Sequence, residues 1–404
     1  MDAATLIREY LLLGLRFDRI EEGYVDSFTG DPGLRQQVQN ESAPDPADLA
    51  LEAGRLATEV AVADGLDPAR ADYVTAHLRA LACAGRKFAG QDVGFVDEVQ
   101  AYFDVHIAKG DPDRYRQAHR KLDDALAGSG PLAERMAAYR ASEEIPPDRL
   151  EEAIHAFSSA LRDRVRAEYP LPDRETISYQ VVTDKPWSGF NYYLGDYRST
   201  VAVNADLKQQ MSNLPRLVAH ESYPGHHTEH CRKEAGLVEG KGHGEQTIFL
   251  VNTPQCLMAE GLADLALHAA IGPNWGVWAA EIYADLGLRF DGDRAEAVSE
   301  ATAALADVRQ DAALMLHDEH LDADDVVDFL KRWLLVNDDR ARQMLRFLSS
   351  PLWRAYTSTY VEGYRLLRGW LEARPDGVSL TERFGRLLDE PLIPSSLRDV
   401  GWSA

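Results

Sequence analysis

Cysteine is scarce in this sequence, which limits the kinds of protein it can be. The 404 residues contain only Cys83, Cys231 and Cys256, and no two of them form a CxxC pair. Thiols so few and so widely spaced exclude a disulfide framework and favour a reducing compartment. Long apolar runs are lacking too, since none approaches the roughly 18 residues of a membrane-spanning helix. The N-terminal segment MDAATLIREYLLLGLRFDRI lacks the basic start and small-residue cleavage site of a signal peptide, so we expect a cytoplasmic protein.

Positive charge is also under-represented. The chain has 43 Lys and Arg against 66 Asp and Glu, which gives a formal net charge of −23. A surface of this sign repels phosphate backbones and anionic lipid, and this argues against nucleic-acid and membrane partners. Hydrophobic residues make up 45% of the chain, enough for a sizeable core, so we expect residues 1–404 to form a single unit.

Helical periodicity, with abundant Ala, Leu, Arg and Glu, dominates most of the chain and predicts a mainly α fold. One region differs: residues 175–204 are rich in Val, Ile, Thr and Tyr and predict a small antiparallel β-sheet. The chain therefore divides into a helical half at about 1–170 and a half at about 171–404 with the sheet and further helices. The predicted helices cover about 3–17, 46–63, 67–87, 94–108, 111–127, 131–142, 145–168, 245–270, 293–318, 322–335, 338–348 and 352–373.

The segment HESYPGHHTEH at 220–230 follows this sheet and begins like a zinc-binding helix. Two ligands on a helix normally stand four residues apart, but position 224 is Pro, and the next histidines are His226 and His227. On a regular helix an i+6 residue points about 120° away, and an i+7 residue lies about 10 Å further along. Pro224 clashes with the carbonyl of His220, and Gly225 adopts backbone angles closed to other residues. A bulge of two residues would then bring His226 beside His220; His227 stays open as the alternative ligand.

A third ligand is expected from the helical stretch CLMAEGLADLALHAA, where Glu260 is a carboxylate among apolar residues. Asp264 follows one turn later and would accept the N–H of a ligand His and orient it. Glu221, beside His220, would act as general base on a water that the ion acidifies. Zinc fits this ligand set, although another divalent metal is compatible with it. A solvated His-rich turn is the structural alternative, but such a turn gains nothing from a helix-breaking Pro-Gly pair.

HESYPGHH followed by AEGLADLAL resembles the paired motifs HExxPGHH and EGxA of the bacterial domain of unknown function 885 family, whose fold is similar to carboxypeptidase Taq-type zinc metallopeptidases. LGDYRSTVAVN (194–204), LMLH (314–317) and RFLSSPLWRAYTSTYVEGYRLL (346–367) extend the resemblance, which covers most of 171–404. It implies an elongated helical fold with a central cleft, the metal ligands His220, His226 and Glu260, and Glu221 as base. Tyr360 is the implied oxyanion donor, and His317 could do the same. The chain is shorter than many relatives, and it has EGLA where the family has an EGWA-like motif.

These residues predict a zinc-dependent hydrolase that cleaves a peptide or related small amide substrate with metal-activated water, and the resemblance implies that it is carboxypeptidase-like. The glycines and aromatics of WSGFNYYLGDY (187–197) suggest a sheet edge to which a peptide could add as a strand. The alternative is a non-catalytic helical peptide-binding or structural protein with a vestigial metal site. Closed structural zinc sites usually have four protein ligands, often Cys, and neither motif contains Cys. This difference and the presence of Glu221 favour the enzyme.

Overall fold

A computed structural model describes residues 2–185 and 187–398 and is mainly helical, which confirms the predicted fold class. Pro186, inside the predicted sheet region 175–204, lies outside the described residues. The helices are α1 (Ala3–Asp18), α2 (Pro32–Gln39), α3 (Pro46–Val60), α4 (Pro68–Phe88), α5 (Phe95–Phe103), α6 (Pro112–Ala125), α7 (Leu132–Ser142), α8 (Leu150–Glu168), α9 (Leu214–Glu221), α10 (His226–Lys233), α11 (Pro254–Ile271), α12 (Trp275–Asp285), α13 (Gly292–Ala303), α14 (Asp307–His317), α15 (Ala323–Leu334), α16 (Asp338–Leu348), α17 (Tyr364–Glu372), α18 (Leu380–Asp389) and α19 (Pro394–Arg398).

Several of these helices begin at an Asp-Pro pair. The Asp side chain accepts a hydrogen bond from a backbone N–H of the first turn, and Pro occupies the first helical position, where its missing N–H costs nothing. This arrangement starts α2, α3, α4 and α6, with the caps Asp31, Asp45, Asp67 and Asp111. No predicted helix covers residues 18–45, because the sequence analysis does not use the Asp-Pro pair of GDPG at 30–33 as a helix start, and for this reason it misses α2.

The strands are β1 (Val25–Phe28), β2 (Thr176–Val182), β3 (Gly189–Gly195), β4 (Arg198–Asn204) and β5 (Ile248–Leu250). In the sheet before the HESYPGHH motif the order is β2-β4-β3, with β3 antiparallel and β2 parallel to β4. The prediction of an antiparallel sheet is therefore wrong for one of the two pairings. The most apolar strand takes the centre: Val201, Ala202 and Val203 of β4 are all buried. β3 lies at an edge.

A second sheet, formed by β1 and β5, is absent from the sequence prediction. The two strands pair antiparallel across more than 200 residues of chain, as in Val25 with Leu250. β5 occupies part of the predicted helix 245–270, so α11 begins only at Pro254. The predicted helix 293–318 is likewise divided, into α13 and α14.

One contiguous cluster of buried apolar side chains runs from Leu6 to Leu397 and includes residues of both halves of the chain. This continuity supports the proposal that the chain forms a single unit. Within the described part of the chain, no helix has the length and apolar character needed to cross a bilayer.

Candidate metal centre

The helix that carries the HESYPGHH motif is interrupted between Glu221, where α9 ends, and His226, where α10 begins. The Gly225 N–H donates to the carbonyl of Ala219 at 3.0 Å, six residues back instead of four. The turn therefore contains two extra residues, which confirms the predicted bulge. A Cβ on Gly225 would collide with the backbone carbonyl of His220, so only glycine fits at this position.

The bulge places the three side chains that the sequence predicts as ligands next to one another. His220 Nε2 lies 3.4 Å from Glu260 Oε2, and His226 Nε2 lies 3.7 Å from Glu260 Oε1. Candidate ligand atoms of the three residues all lie within 4.8 Å of one another. Glu260 Oε2 is buried and has no hydrogen-bond partner among the described residues, a costly state that a cation would relieve. Two imidazoles and a carboxylate form a donor set that suits zinc and similar divalent ions.

His227, the alternative ligand, points away from this group. Its Nδ1 lies 2.8 Å from Ser199 Oγ, and its Nε2 lies 3.0 Å from Glu175 Oε2. The side chain is fully buried, and both ring nitrogens already have partners. The geometry thus favours His226 over His227.

Asp264 stands behind His220, as predicted from its position one turn after Glu260. His220 Nδ1 lies 3.1 Å from Asp264 Oδ1, and Arg216 Nη2 donates to the same oxygen at 2.9 Å. Burial raises the pKa of Asp264, but Arg216 and His220 outweigh it and hold the pKa well below its usual range. An ionised Asp264 that accepts the Nδ1–H leaves His220 Nε2 free to bind a metal.

Glu221 is buried beside these residues, with 6% of its surface exposed. Burial raises the pKa of its carboxyl to about 7; the charge of His220 opposes this shift and that of Glu260 adds to it. β3 passes close by, because Gly189 has no side chain: a Cβ there would lie 3.1 Å from Glu221 Oε1. Asn191 of the same strand donates to the Glu221 carbonyl at 2.6 Å. A carboxylate at the metal centre and an edge strand therefore lie side by side.

The predicted helix 352–373 is not continuous: a π-helical turn, Thr359–Gly363, precedes α17. Such turns are frequent at functional sites. Tyr356, just before the turn, donates its hydroxyl proton to Glu260 Oε1 at 2.7 Å, a contact that the sequence analysis misses. Burial and the charges of Glu260 and Asp264 raise the pKa of Tyr360 well above its usual value, so its phenol stays neutral beside the centre.

His317 is not brought to this group. Its ring packs on Phe95, with 5.2 Å between ring centroids, and its Nε2 donates to the Leu348 carbonyl at 2.7 Å. This arrangement corrects the prediction that His317 stabilises an oxyanion, because the ring N–H that would do so is already bonded to a carbonyl.

Asp26 is an acidic residue near the centre that sequence reasoning misses. It stands at the irregularity of β1, between Val25, which pairs with Leu250, and Ser27, which pairs with Phe249. Burial and the charge of Glu260 raise the pKa of Asp26 to about 7. No local pattern identifies this residue, since β1 exists only through its pairing with the distant β5.

Arginines act electrostatically on the groups of the centre, and Arg216 does so through its 2.9 Å hydrogen bond to Asp264. Arg309 of α14 is exposed, yet protein surrounds its charge closely enough to lower its pKa, a combination expected on the wall of a cleft. The charge of Arg340 lowers the pKa of Arg309 further, and so does that of Arg216, while Tyr360 acts in the opposite direction. Of these arginines, Arg216 contacts the centre directly, through Asp264, in a chain whose net charge is −23.

Comparisons of the sequence with known protein families and with curated proteins gave no match. Among solved structures, a protein from Colwellia psychrerythraea provisionally described as a lipoprotein has a TM-score of 0.52 and 13% identity, over 91% of this chain and 68% of that one. An M32 carboxypeptidase from Deinococcus radiodurans R1 has a TM-score of 0.42 and 14% identity, over 98% of this chain and 94% of that one. The first likeness shows a shared fold, and the second is too distant to carry an argument.

Proposed function

We propose that this protein is a zinc-dependent hydrolase that cleaves peptide or related amide bonds. The observation that supports this most is the meeting of His220, His226 and Glu260, with ligand atoms within 4.8 Å of one another, beside the buried carboxylate of Glu221. Catalytic zinc sites have three protein ligands of these types and keep one position for water or substrate. When bound, the cation would polarise a substrate carbonyl and acidify a water molecule.

Glu221 is the proposed general base. It would accept a proton from the attacking water and pass it to the departing amine. A base works best when its pKa is near the working pH, and burial raises the pKa of Glu221 to about 7. Because Glu221 follows His220 directly in the chain, it stays close to the candidate ligands.

Tyr360 is the proposed donor to the oxyanion that forms when water attacks the carbonyl. Its hydroxyl proton is retained because burial and the charges of Glu260 and Asp264 raise its pKa. A neutral donor already in position stabilises charge that develops in the transition state. Tyr356 has a different proposed task, since its hydroxyl bonds Glu260 and would hold that ligand in orientation.

The edge of β3 is the proposed surface for the peptide backbone. Within its sheet β3 has one neighbour, β4, so its other edge is not paired in that sheet. The side chains of Tyr192 and Leu194 on β3 are 42% and 56% exposed. A peptide that added to this edge would run past Gly189 and therefore past Glu221.

A carboxypeptidase-like preference is the finer part of the proposal, and the arginines support it. Arg216 bonds Asp264 at 2.9 Å, and the charge of Arg309 interacts with Tyr360 and Asp264. A guanidinium pairs well with a carboxylate, so this wall would accept the free C-terminus of a peptide. Peptides with free and amidated C-termini test this preference: Arg309→Met should lower kcat/KM for the free acid and leave that for the amide nearly unchanged.

The hydrolase proposal is tested with wild-type protein and Glu221→Gln, each loaded with Zn²⁺ and incubated with a mixed peptide pool. Glu281→Gln, an exposed position on α12, is the matched control. We expect equal zinc content in all three by elemental analysis, turnover by wild type and Glu281→Gln, and none by Glu221→Gln. Equal turnover by wild type and Glu221→Gln would refute the role of Glu221. Zinc-loaded wild type without turnover would favour the alternative, a non-catalytic peptide-binding or structural protein with a vestigial metal site.

A further inference from the structure

A buried carboxylate lies under the interrupted helix and contacts both sides of the interruption. Glu175, immediately before β2, is 1% exposed. Its Oε2 accepts a hydrogen bond from the Tyr223 hydroxyl at 2.8 Å and one from His227 Nε2 at 3.0 Å. Tyr223 precedes the Pro-Gly pair and His227 follows it, so a single oxygen atom ties the two ends of the bulge together.

The second oxygen of Glu175 faces α8. Oε1 lies 2.7 Å from Arg162 Nε and 3.0 Å from Arg166 Nη2. Burial alone would raise the pKa of Glu175, but the hydrogen bonds from His227, Tyr223 and Arg162 lower it to about 2. The carboxylate is therefore ionised at neutral pH; it accepts hydrogen bonds from Tyr223, His227 and Arg162 and forms an ion pair with Arg166.

Each strand of the three-stranded sheet also bonds one residue of this segment. Asn191 of β3 donates to the Glu221 carbonyl at 2.6 Å, and the Tyr179 hydroxyl of β2 lies 2.5 Å from Ser222 Oγ. Ser199 of β4 lies 2.8 Å from His227 Nδ1. The three strands thus bond residues 221, 222 and 227 of the interrupted segment, while Glu175 bonds a residue on each side of the Pro-Gly pair.

We propose that Glu175 is a positioning residue of the metal centre, which fixes the bulge and thereby turns His226 toward His220 and Glu260. This inference rests on the proposed metal centre. His226 is covalently next to His227, so a His227 that both Glu175 and Ser199 hold allows His226 little freedom. Buried groups that orient ligands in this way typically change metal affinity 10- to 100-fold when they are removed.

The test is Glu175→Gln, whose side-chain volume is nearly unchanged. The amide NH₂ cannot accept hydrogen bonds, so it must face either the Tyr223 and His227 donors or the arginines. We expect Zn²⁺ affinity, measured by competition with a chromophoric chelator, to fall at least tenfold, and the visible absorption of the Co²⁺-loaded protein to change. We also expect the Gly225 and Thr228 amides, both bonded to carbonyls six residues back, to exchange at least tenfold faster in the metal-free protein.

Glu98→Gln is the matched control, because Glu98 is also buried and also paired with two cations, Lys87 and Arg354, at a different place in the fold. It should lower thermal stability to a similar extent and leave Zn²⁺ affinity, the Co²⁺ spectrum and exchange at residues 225–228 as in wild type. Equal effects from both variants would overturn the proposal, because they would reflect general destabilisation. Wild-type metal affinity and wild-type amide exchange in a folded Glu175→Gln protein would also overturn it.

If Glu175→Gln does not fold, Tyr223→Phe replaces it, since it removes one hydrogen bond and keeps the ring. For Tyr223→Phe we expect a smaller loss of Zn²⁺ affinity, a smaller change in the Co²⁺ spectrum and a smaller increase in amide exchange at Gly225 and Thr228. If none of these changes occurred, the proposal would be contradicted. Failure of the proposed metal centre looks different, because wild-type protein would then bind neither Zn²⁺ nor Co²⁺; failure of the proposed hydrolase activity alone would leave metal binding intact and turnover absent. Amide exchange of the metal-free variants still tests the role of Glu175 in that case.

Discussion

Gly261 and Gly363 bring two helical backbones into direct contact beside the metal centre. A Cβ on Gly261 would lie 2.5 Å from the carbonyl carbon of Gly363, and a Cβ on Gly363 would lie 2.5 Å from the Leu257 carbonyl oxygen. Gly261 follows Glu260 in α11, and Gly363 ends the π-helical turn that contains Tyr360. The two glycines therefore set the separation between the candidate carboxylate ligand and the tyrosines.

Gly261→Ala should push α11 away from the π-helical turn. We expect a loss of about 1–3 kcal/mol in the free energy of unfolding, as for other overpacked sites, together with weaker metal binding. Denaturant unfolding and zinc competition measure the two effects. Gly54→Ala, at an open position in α3 where an added Cβ has no atom within 4 Å, should be neutral or stabilising. An equally stable Gly261→Ala protein would show that the close contact is not required.

Removing the hydroxyl of Tyr356 should weaken metal binding, whereas removing that of Tyr360 should slow catalysis. Tyr356→Phe loses the 2.7 Å hydrogen bond to Glu260, so we expect zinc affinity to fall about 10- to 100-fold. Tyr360→Phe should keep zinc affinity and lower kcat about 10²- to 10³-fold, as expected for an oxyanion donor. Two measurements separate the variants: kcat at saturating Zn²⁺, and Zn²⁺ affinity by competition with a chelator. If both variants showed the same defect, the assignment of Tyr356 to ligand orientation and of Tyr360 to the oxyanion would be contradicted.

Metal binding should release protons, because the metal-free centre favours a charged imidazole. Burial lowers the pKa of His220, but the neighbouring carboxylates of Asp264 and Glu260 raise it well above its usual value overall. The proton must leave before Nε2 can bind a cation, so zinc affinity should weaken as the pH falls below that raised pKa. Calorimetric titration in buffers with different ionisation enthalpies counts the protons released.

Asp264→Asn separates the two effects of this carboxylate. The substitution removes a negative charge beside His220, so the pKa of the imidazole should fall and fewer protons should be released at neutral pH. It also replaces the charged acceptor of the His220 Nδ1–H with a weaker, neutral amide oxygen, so the ring is held less firmly and zinc affinity at high pH should drop about 10- to 100-fold. Unchanged affinity at high pH would mean that Asp264 acts only through its charge.

The parts of the site that follow from local chemistry could be predicted from the sequence. Pro224 and Gly225 act on the backbone next to them, so the bulge and the preference for His226 follow from the order of the residues. Glu260 and Asp264 stand one turn apart on a single helix, so their shared face is equally local. The structure places the ligand atoms of His220, His226 and Glu260 within 4.8 Å of one another, as this reasoning requires.

The parts that depend on distant pairing could not be predicted. Asp26 reaches the centre only because β1 pairs with β5 across more than 200 residues. Tyr356 belongs to a stripe of tyrosines at helical spacing, and such a stripe is also typical of ordinary core packing. The parallel pairing of β2 with β4 requires β3 to cross to the far side of β4, and no residue in 175–204 marks that crossing.

Acid should destabilise the protein through a residue far from the proposed chemistry, His77 of α4. His77 is fully buried, its Nδ1 donates to the Tyr73 carbonyl at 2.8 Å, and its Nε2 has no partner among the described residues. Burial lowers its pKa from 6.5 to about 4, so the unfolded chain binds the extra proton first as the pH falls. Stability should therefore decline between pH 6.5 and 4, by on the order of 3 kcal/mol from this residue.

Urea unfolding across this range should show a weaker pH dependence for His77→Asn, whose amide can still donate to Tyr73. The exposed control His106→Asn should keep the wild-type dependence, and an unaltered slope in His77→Asn would assign the acid sensitivity to other groups.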